Sequence, residues 1–378
     1  MKLIHLSDLH LGKRVNEFSM LEDQEYILIK ILNIIDQEKP DGILIAGDVY
    51  DKSIPSVEAV QLLDSFLEKL AEKKQQVFLI SGNHDSPERL DFASGLIEMS
   101  GIHISAVYQE KICPFTLEDE YGKVNIYLLP FIKPAHVRSK FSDETVETYT
   151  DAVRISIEHM GVDPTERNVI VTHQFVTGAL RSESEEISVG GSDNVDASVF
   201  DEFDYVALGH IHGPQKIGRD TVRYCGTPLK YSFSEVNHQK SVTVVELREK
   251  GKVEVRTVEL VPKRDMRELR GSYQEITNRK NYEGTALEDY LHITLTDEED
   301  VLDGMALLRV IYPNLMKLDY DNRRTRENQQ ISQVNDIENK SPLELFQEFY
   351  EKQNNQQMSR EQSDFAADLI ERIWEGRE

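Results

Sequence analysis

Five short apolar segments, each followed at once by residue types that bind metal ions, constrain the fold of this chain more than any other feature. Apolar residues at helical spacing lie between them, as in residues 21–37, which end before Pro40, and residues 57–70, for which Ser56 is a predicted N-cap. Alternating strands and helices are typical of a parallel α/β sheet, whose ligands bind at the carboxyl ends of its strands. The predicted strands are residues 2–7, 42–46, 77–80, 169–172 and 205–208.

The residues that follow these strands form one set of candidate ligands. Two divalent ions need about this many ligands, and Asp48 is the natural bridge between them because a carboxylate has two oxygens to share. Imidazole and oxygen ligands without thiolate suit Mn²⁺, Fe²⁺ or Zn²⁺ better than Mg²⁺ or Ca²⁺, and the ligand types do not choose among the first three. We expect Mn²⁺, with Fe²⁺, Zn²⁺ and Mg²⁺ left open. The set is Asp8, His10, Asp48, Asn83, His84, His173, His210 and His212.

The ligands other than Asp48 divide into two groups around that bridge. Glycines at positions 47, 82 and 209 suit backbone that turns sharply beside a bound ion. The group for one ion is Asp8, His10 and His212, and the group for the other is Asn83, His173 and His210.

Each of these residues taken alone has an ordinary structural explanation. A single Asp at a strand end is more commonly a turn former or a helix cap, and a single His is usually a satisfied core or surface residue. Five strand-end motifs in order make metal binding the expectation. Asp85 is expected to orient His84 or cap the following helix, whereas Asp51 is left open between a supporting position behind the ligands and a turn residue.

The same segments carry a family resemblance. In chain order, DLHLG, GDVYD, GNHD, VTHQF and GHIH resemble the five motifs of the calcineurin-like metallophosphoesterases. The resemblance extends to the SbcD family, the nuclease subunits of bacterial SbcCD complexes, and covers nearly the whole chain. The stretches that carry this closer likeness are GSDNVDASVFDEFDYVALGHIHGPQ, RYCGTPLKYSFSE and SPLELFQEFYEKQN.

The resemblance implies a two-metal DNA nuclease that works with a coiled-coil ATPase of the SbcC type in DNA repair and recombination. It also implies exonuclease activity on duplex ends and endonuclease activity on single strands and hairpins. The oligomer that it implies is a dimer of nuclease subunits within a heterotetramer. Carried over by motif, His84 of GNHD is a catalytic histidine that does not bind metal and assists the departing oxygen. The other seven candidates are then the metal ligands, and the ions activate the attacking hydroxide.

The predicted fold is an α/β, two-sheet metallophosphoesterase sandwich flanked by helices. Residues 1–262 form the nuclease domain, 263–320 a small α/β capping domain, 321–340 a polar linker, and 341–378 a helix-loop-helix that docks on the ATPase. Capping boxes at Ser341 and Ser359 open the two terminal helices.

Three local predictions concern the connections between these parts. Residues 144–160 are expected to be helical. Residues 241–247 and 253–261 alternate in polarity and are expected to be antiparallel strands that close the second sheet. Residues 263–270 are expected to be a link of mixed charge.

Composition limits the partners and the compartment. The net charge of −25 argues against nucleic-acid binding by bulk electrostatics, although bound cations and a basic groove on a partner leave a DNA substrate open. Two cysteines, Cys113 and Cys225, provide neither a disulfide framework nor a thiolate zinc cluster. The sequence shows neither a signal-peptide pattern nor about 20 consecutive apolar residues, so the cytoplasm is the expected compartment.

Two other classes of function compete with the nuclease. One is a phosphatase or small-molecule phosphodiesterase of the same superfamily, against which the C-terminal extension speaks. The other is a scaffold subunit with a structural metal, against which His84 speaks, since it stands outside the ligand set.

Overall fold

The computed structural model describes residues 1–182, 185, 193–323, 325, 343, 346–347, 349–350 and 358–374. In chain order the strands are β1 (Lys2–Leu6), β2 (Arg14–Val15), β3 (Phe18–Ser19), β4 (Gly42–Ala46), β5 (Gln76–Ile80), β6 (Ile102–Ser105), β7 (Phe115–Asp119), β8 (Gly122–Leu129), β9 (Arg167–His173), β10 (Phe175–Val176), β11 (Asn194–Val195), β12 (Tyr205–Gly209), β13 (Gln215–Ile217), β14 (Arg219–Tyr224), β15 (Ser241–Leu247), β16 (Val253–Glu259), β17 (Met266–Gly271), β18 (Tyr290–Leu295) and β19 (Leu315–Tyr320). The helices are α1 (Leu21–Glu38), α2 (Val57–Glu72), α3 (Pro87–Leu90), α4 (Ser94–Ile97), α5 (Pro134–Arg138), α6 (Tyr149–Met160), α7 (Tyr273–Ile276), α8 (Arg279–Tyr282), α9 (Gly304–Arg309) and α10 (Arg360–Trp374).

Two six-stranded sheets carry the candidate ligands. The first has the order β16-β15-β1-β4-β5-β6, and the second has the order β13-β14-β12-β9-β8-β7. In the first sheet, the neighbouring strands β1, β4, β5 and β6 run parallel. In the second sheet, the neighbouring strands β14, β12, β9 and β8 run parallel. The carboxyl ends of neighbouring strands therefore meet at one edge of each sheet.

The two sheets pack face to face. Leu44 and Phe78 of the first sheet share a buried cluster with Ile126 and Val171 of the second. The outer faces carry separate apolar clusters, one under α1 and α2 and one under α6. Strands of this kind are apolar on both faces, which explains the short uninterrupted runs seen in the sequence. The predicted two-sheet α/β fold with flanking helices is confirmed.

Three local expectations were wrong. Strands β15 and β16 extend the first sheet, not the second, because β15 pairs antiparallel with β1. The helix expected over residues 144–160 begins only at Tyr149, because Thr148 and Asp151 form a reciprocal capping box there. The expected link over residues 263–270 contains β17, which joins β18 and β19 in a three-stranded sheet.

Contacts divide the chain into two compact units. The first is Met1–Thr294 with Leu302–Asp319, and the second is Leu295–Val301 with Tyr320–Glu378. In the second unit, the capping box predicted at Ser359 is present, since the Gln362 amide donates to Ser359 Oγ over 3.2 Å. Most of the predicted linker and the capping box predicted at Ser341 lie outside the described residues. Within the described part of the chain, no helix combines the length and the apolar character needed to cross a bilayer.

Candidate metal centre

The structure brings all the predicted site residues to neighbouring loops. Asp8 and His10 follow β1, Asp48 follows β4, and Asn83 and His84 follow β5 of the first sheet. His173 ends β9, and His210 and His212 follow β12 of the second sheet. Because β9 and β12 are parallel and in register, His173 lies opposite Gly209, which precedes His210. The site is therefore built from the facing edges of both sheets.

Left-handed backbone is concentrated at this site. Asp8, His10, Asp48 and His210 have φ values of 53°, 44°, 48° and 106°, a region that side chains other than glycine rarely adopt. Such residues cost about 1–3 kcal/mol each and persist where the surroundings hold them. Hydrogen bonds between the loops do so: the Asp8 amide donates to the Gly47 carbonyl over 3.0 Å, and the His10 amide to the Asp48 carbonyl over 2.9 Å.

All three glycines expected beside the ion are required by close approach. A Cβ at Gly82 would overlap the Asp48 carboxylate, and a Cβ at Gly209 would overlap the Ala46 carbonyl oxygen. A Cβ at Gly47 would lie 2.6 Å from His173 Nδ1, and Gly47 also has left-handed backbone, with φ of 81°. Small residues thus let the loops come within ligand distance of one another.

The side-chain atoms converge in three overlapping groups. Asp8, His10 and His212 each offer an atom within 4.8 Å of the other two. The same holds for Asp8, Asp48 and His173, and for His10, Asp48 and His84. His10 Nε2 lies 3.2 Å from His212 Nε2. Two nitrogen ligands about 2.1 Å from one ion and at right angles to each other are about 3 Å apart, so this spacing fits a shared ion.

Asn83 and Asp48, from loops of the first sheet, both lie close to His173 of the second sheet. Asn83 Oδ1 lies 2.9 Å from His173 Nε2 and 2.9 Å from His210 Nδ1. Asp48 Oδ2 lies 3.3 Å from His173 Nε2 and 3.7 Å from His10 Nε2. Asp48 thus stands between the two predicted ligand groups, where a bridging carboxylate is needed.

Burial and charge set the protonation of these groups. Burial raises the pKa of Asp8. Burial would also raise the pKa of Asp48, but His173 and His10 outweigh it and hold that pKa well below its ordinary value. Burial lowers the pKa of His10 well below its ordinary value, and burial with the neighbouring His173 lowers the pKa of His210 to about 3. The neutral His10 and His210 imidazoles keep the lone pair that a metal requires. Burial would also lower the pKa of His173, but Asp48 outweighs it and raises that pKa to about 9, so a metal bound at His173 displaces a proton.

One buried imidazole nitrogen also fits a metal site. His210 Nε2 has no hydrogen-bond partner among the described residues. A buried polar atom without a partner is rare in a folded protein, and it is expected where an ion completes the interactions. The donor set is imidazole, carboxylate and amide oxygen, as the sequence predicts.

Hydrogen bonds behind the ligands fix their orientation. His173 Nδ1 lies 2.9 Å from the Ala46 carbonyl oxygen, so Nδ1–H donates there and Nε2 faces the site. His212 Nδ1 lies 3.2 Å from Glu235 Oε1. Glu235 is fully buried and its other oxygen lies 2.5 Å from Lys240 Nζ, which also donates to the His212 carbonyl. This ion pair holds both the ring and the backbone of His212.

Sequence reasoning assigned no role to Glu235 or Lys240. Glu235 ends the stretch RYCGTPLKYSFSE, which was noticed only for its family likeness, and Lys240 lies just beyond it. Gln24 was likewise missed, although its side chain donates to the His10 carbonyl over 2.7 Å and its oxygen accepts from the Gly12 amide over 3.0 Å. Helical periodicity does not reveal Gln24, because it is a polar residue, buried like its neighbour Asp23, at the start of the apolar stripe of α1.

Asp85 and Asp51 lie behind the ligands in different ways. The Asp85 carboxylate accepts hydrogen bonds from the backbone amides of Val49, Tyr50 and Gly82 at 2.9–3.1 Å, and so ties the loop after β4 to the loop after β5. Asp51 Oδ1 lies 2.7 Å from Lys13 Nζ, and the Asp51 carbonyl oxygen lies 3.1 Å from His84 Nδ1.

Comparison with protein families gives two matches. Residues 1–214 match the model of the calcineurin-like phosphoesterases, and residues 262–354 match that of the type 5 capsule protein repressor C-terminal domain (SbcD_C). A clustered site in this family indicates that the chain binds divalent metal.

Two curated relatives are similar along most of their length. The SbcD subunit of the SbcCD nuclease from Staphylococcus epidermidis is 34% identical over 98% of this chain and 98% of its own. The corresponding subunit from Staphylococcus saprophyticus is 36% identical over 89% of this chain and 90% of its own.

Solved structures add a weaker likeness. The protein TT1561 of Thermus thermophilus is 13% identical, with a TM-score of 0.41 over 68% of this chain and 98% of that one. The family assignment rests instead on the sequence matches, which span both the ligand loops and the C-terminal region. The chain belongs to the calcineurin-like phosphoesterases and, within them, to the SbcD family.

Proposed function

We propose that this protein is a metal-dependent DNA nuclease that hydrolyses phosphodiester bonds in complex with an ATPase of the SbcC type. Its substrates are duplex ends, cut as an exonuclease, and single strands and hairpins, cut as an endonuclease, during repair and recombination. Since the substrate is DNA, the compartment that we propose is the cytoplasm. The name of the two staphylococcal relatives, a subunit of the SbcCD nuclease, supports both the activity and the partner.

The observation that carries the proposal is the convergence of ligand atoms from both sheets around Asp48. We propose that two divalent ions are held there, with Mn²⁺ as the expected metal and Fe²⁺, Zn²⁺ or Mg²⁺ as alternatives. The ligands would be Asp8, His10, Asp48, Asn83, His173, His210 and His212. When bound, such a pair of ions activates water and neutralises charge on the phosphate.

His84 is the residue that we assign to proton transfer. Its side chain is 18% exposed, whereas the Asp48 carboxylate beside it is 2% exposed. Its Nδ1 atom lies 3.1 Å from the Asp51 carbonyl oxygen, and its Nε2 atom lies 4.0 Å from Asp48 Oδ2. With Nδ1–H donated to that carbonyl, Nε2 points to the substrate side of the site and can protonate a departing oxygen.

The C-terminal segment is the proposed docking element for the ATPase. In α10, Phe365 and Leu369 are exposed although they are large and apolar. They lie four residues apart, so they share one face of the helix, the usual arrangement of a helix that docks in an apolar groove. The other domain boundaries that we propose are 1–262 for the nuclease and 263–320 for the cap.

Self-association is the remaining part of the proposal. Among the large apolar side chains of the first unit that are more than two-thirds exposed, five lie in two short segments, which supports a surface for a second copy of the chain. These residues are Ile54, Val57, Phe92, Leu96 and Met99. Light scattering of the purified protein tests for the homodimer.

The deciding experiment measures Mn²⁺-dependent cleavage of DNA beside that of a chromogenic phosphodiester. We expect both to be hydrolysed and both reactions to stop on chelation. Hydrolysis of the small ester alone would indicate a small-molecule phosphodiesterase. Failure to hydrolyse either, with metal still bound, would indicate a scaffold whose metal is structural.

A further inference from the structure

We infer that a cleft beside the metal centre binds one unpaired nucleotide of single-stranded DNA, next to the phosphate that is cut; this inference rests on the proposed nuclease function. The cleft has a volume of about 420 Å³, which suits a small-molecule subsite. It begins at Gly82 and Asn83. Because Asn83 is also a candidate ligand, a group in this cleft adjoins a phosphate held at the ions.

Aromatic side chains form one wall of the cleft. Phe131 and Tyr108 both line it. The Phe131 ring lies edge-on to the His173 ring at a centroid distance of 6.2 Å, so the metal centre supports it from behind. The Tyr108 hydroxyl lies 2.8 Å from Ser156 Oγ, which holds the second ring. Fixed aromatic rings are the surfaces on which nucleic-acid bases stack, with little dependence on sequence.

Basic side chains lie along the rim of the cleft. Lys133, His136 and Lys140 line the cleft and are exposed to solvent. The Lys133 ammonium lies 6.0 Å from the Phe131 ring centroid, so charge and ring are within reach of one nucleotide. In a chain of net charge −25, such a grouping supplies local attraction for a phosphate backbone that the protein as a whole repels.

Two acidic residues also line the cleft, and they do not cancel this charge. Asp85 is buried, and its carboxylate is occupied by three backbone amides. The Glu88 carboxylate lies 3.5 Å from the Ser86 hydroxyl. Among the exposed charges, Lys133 and Lys140 therefore stand against Glu88 alone, so the rim keeps a net positive charge.

The shape of the cleft selects an unpaired base. A base within a duplex is stacked on both faces and paired along its edge, so it must leave the helix before a protein ring can stack on it. A narrow aromatic wall with cations at the rim fits one such base and the phosphate next to it.

The test compares an oligothymidylate with bis(p-nitrophenyl) phosphate as substrates of the full-length protein with Mn²⁺. The variants are Phe131→Leu, which removes the stacking ring, and the double variant Lys133→Glu/Lys140→Glu, which reverses two exposed charges. We expect the ratio of the oligonucleotide KM to the small-ester KM to rise about tenfold in each variant, because only the oligonucleotide has a base and a flanking phosphate.

The matched control is Lys69→Glu/Lys123→Glu, which reverses two exposed charges outside the cleft and should leave the KM ratio as in the wild type. Lys69 lies in the last turn of α2, and Lys123 lies at the amino end of β8, whereas the cleft follows the carboxyl end of that strand. An unchanged ratio in both cleft variants, with the wild type cutting DNA, would overturn the subsite and leave the nuclease in place. A wild-type protein that hydrolyses only the small ester would overturn both. Anisotropy of a labelled phosphorothioate oligonucleotide gives a second measure, and we expect its Kd to rise in parallel with KM.

Discussion

His84 differs from the other imidazoles of the metal centre in how exposed it is. His173 and His212 each direct one ring nitrogen to an oxygen behind the site and the other toward the ligand cluster. His84 also donates rearward, to the Asp51 carbonyl, but it stands at the exposed side of Asp48. In the ligand assignment that we propose, His84 is not needed to hold the metal and is therefore free to carry a proton.

His84→Ala should therefore remove catalysis and keep the metal. We expect DNA cleavage to fall by about 10²–10⁴-fold, the usual contribution of a general acid. Metal content measured by mass spectrometry should match that of the wild type. The comparison variant is His210→Ala, which we expect to lose metal as well as activity; metal loss in the His84 variant would show that His84 is a ligand.

Glu235 gives a second prediction for a single residue. Its carboxylate lies between His212 Nδ1 and Lys240 Nζ and is fully buried. Glu235→Gln removes the charge that favours the Nδ1–H form of His212, so we expect metal affinity to fall about 10–100-fold, as measured by calorimetry.

Stability must be separated from metal affinity in that experiment. Glu235→Gln leaves the Lys240 ammonium buried without its counter-charge, which lowers the free energy of unfolding. The double variant Glu235→Gln/Lys240→Met removes both charges and should recover stability while metal affinity stays low. Affinity that returns together with stability would reduce Glu235 to a structural role.

At the scale of elements, helix α1 joins the metal loop to the three-stranded sheet that follows the nuclease fold. Gln24 hydrogen-bonds the loop that carries His10. Its neighbour Asp23 is fully buried and accepts two hydrogen bonds from Arg264, at 3.0 and 2.6 Å, and one from the Tyr290 hydroxyl at 2.7 Å. One turn of helix therefore contacts both the site and the sheet.

Asp23→Ala should destabilise the protein strongly. The variant leaves the buried Tyr290 hydroxyl and the Arg264 Nε–H without their acceptor, although Arg264 keeps its pair with Glu22. A buried donor left without an acceptor costs about 1–3 kcal/mol. A lower melting temperature in calorimetry checks this. The matched control is Asp36→Ala, whose pair with Lys73 lies at the surface and should contribute less than about 1 kcal/mol. Equal melting temperatures for the two variants would contradict the prediction.

The sequence predicts strands better than their partners. Residues 42–46 form β4 as expected, because an unbroken apolar run followed by glycine identifies a buried parallel strand without knowledge of its neighbours. Strand β15 was also located correctly, but it was given to the wrong sheet. Alternating polarity identifies a strand, whereas its partner depends on contacts between residues that are distant in the chain.

The candidate site likewise contains residues that the sequence reveals and residues that it does not. Ligand types such as His173 could be predicted because they follow strands and belong to recognisable motifs. Glu235 could not, because it lies in a short turn and acts on His212 through the folded chain. The left-handed backbone at Asp8 and His10 gives no sequence signal either, since neither residue is a glycine.

At the scale of the whole molecule, attachment to the ATPase should depend on α10. Phe365→Glu/Leu369→Glu places two charges on the exposed apolar face of that helix. We expect the coiled-coil ATPase to be lost on copurification, while the variant keeps Mn²⁺-dependent hydrolysis of the chromogenic ester. Asp364→Asn, on the same helix and also exposed, should keep the partner.

Loss of the small-ester activity together with the partner would mean that the double variant had disturbed the nuclease unit. Retention of the partner would remove α10 as the docking element. Deletion of residues 341–378 gives the same comparison without new side chains.

The central position of β1 has a consequence for how the protein matures. This strand lies between β4 and β15, and the loop after it pairs His10 with His212, which is 202 residues later in the chain. During translation the first ligands emerge long before the last, so an ion has no complete cage until the second sheet has been synthesised and has docked on the first. Metal uptake should therefore coincide with the final step of folding, and a nascent chain halted before His212 should not retain the ion.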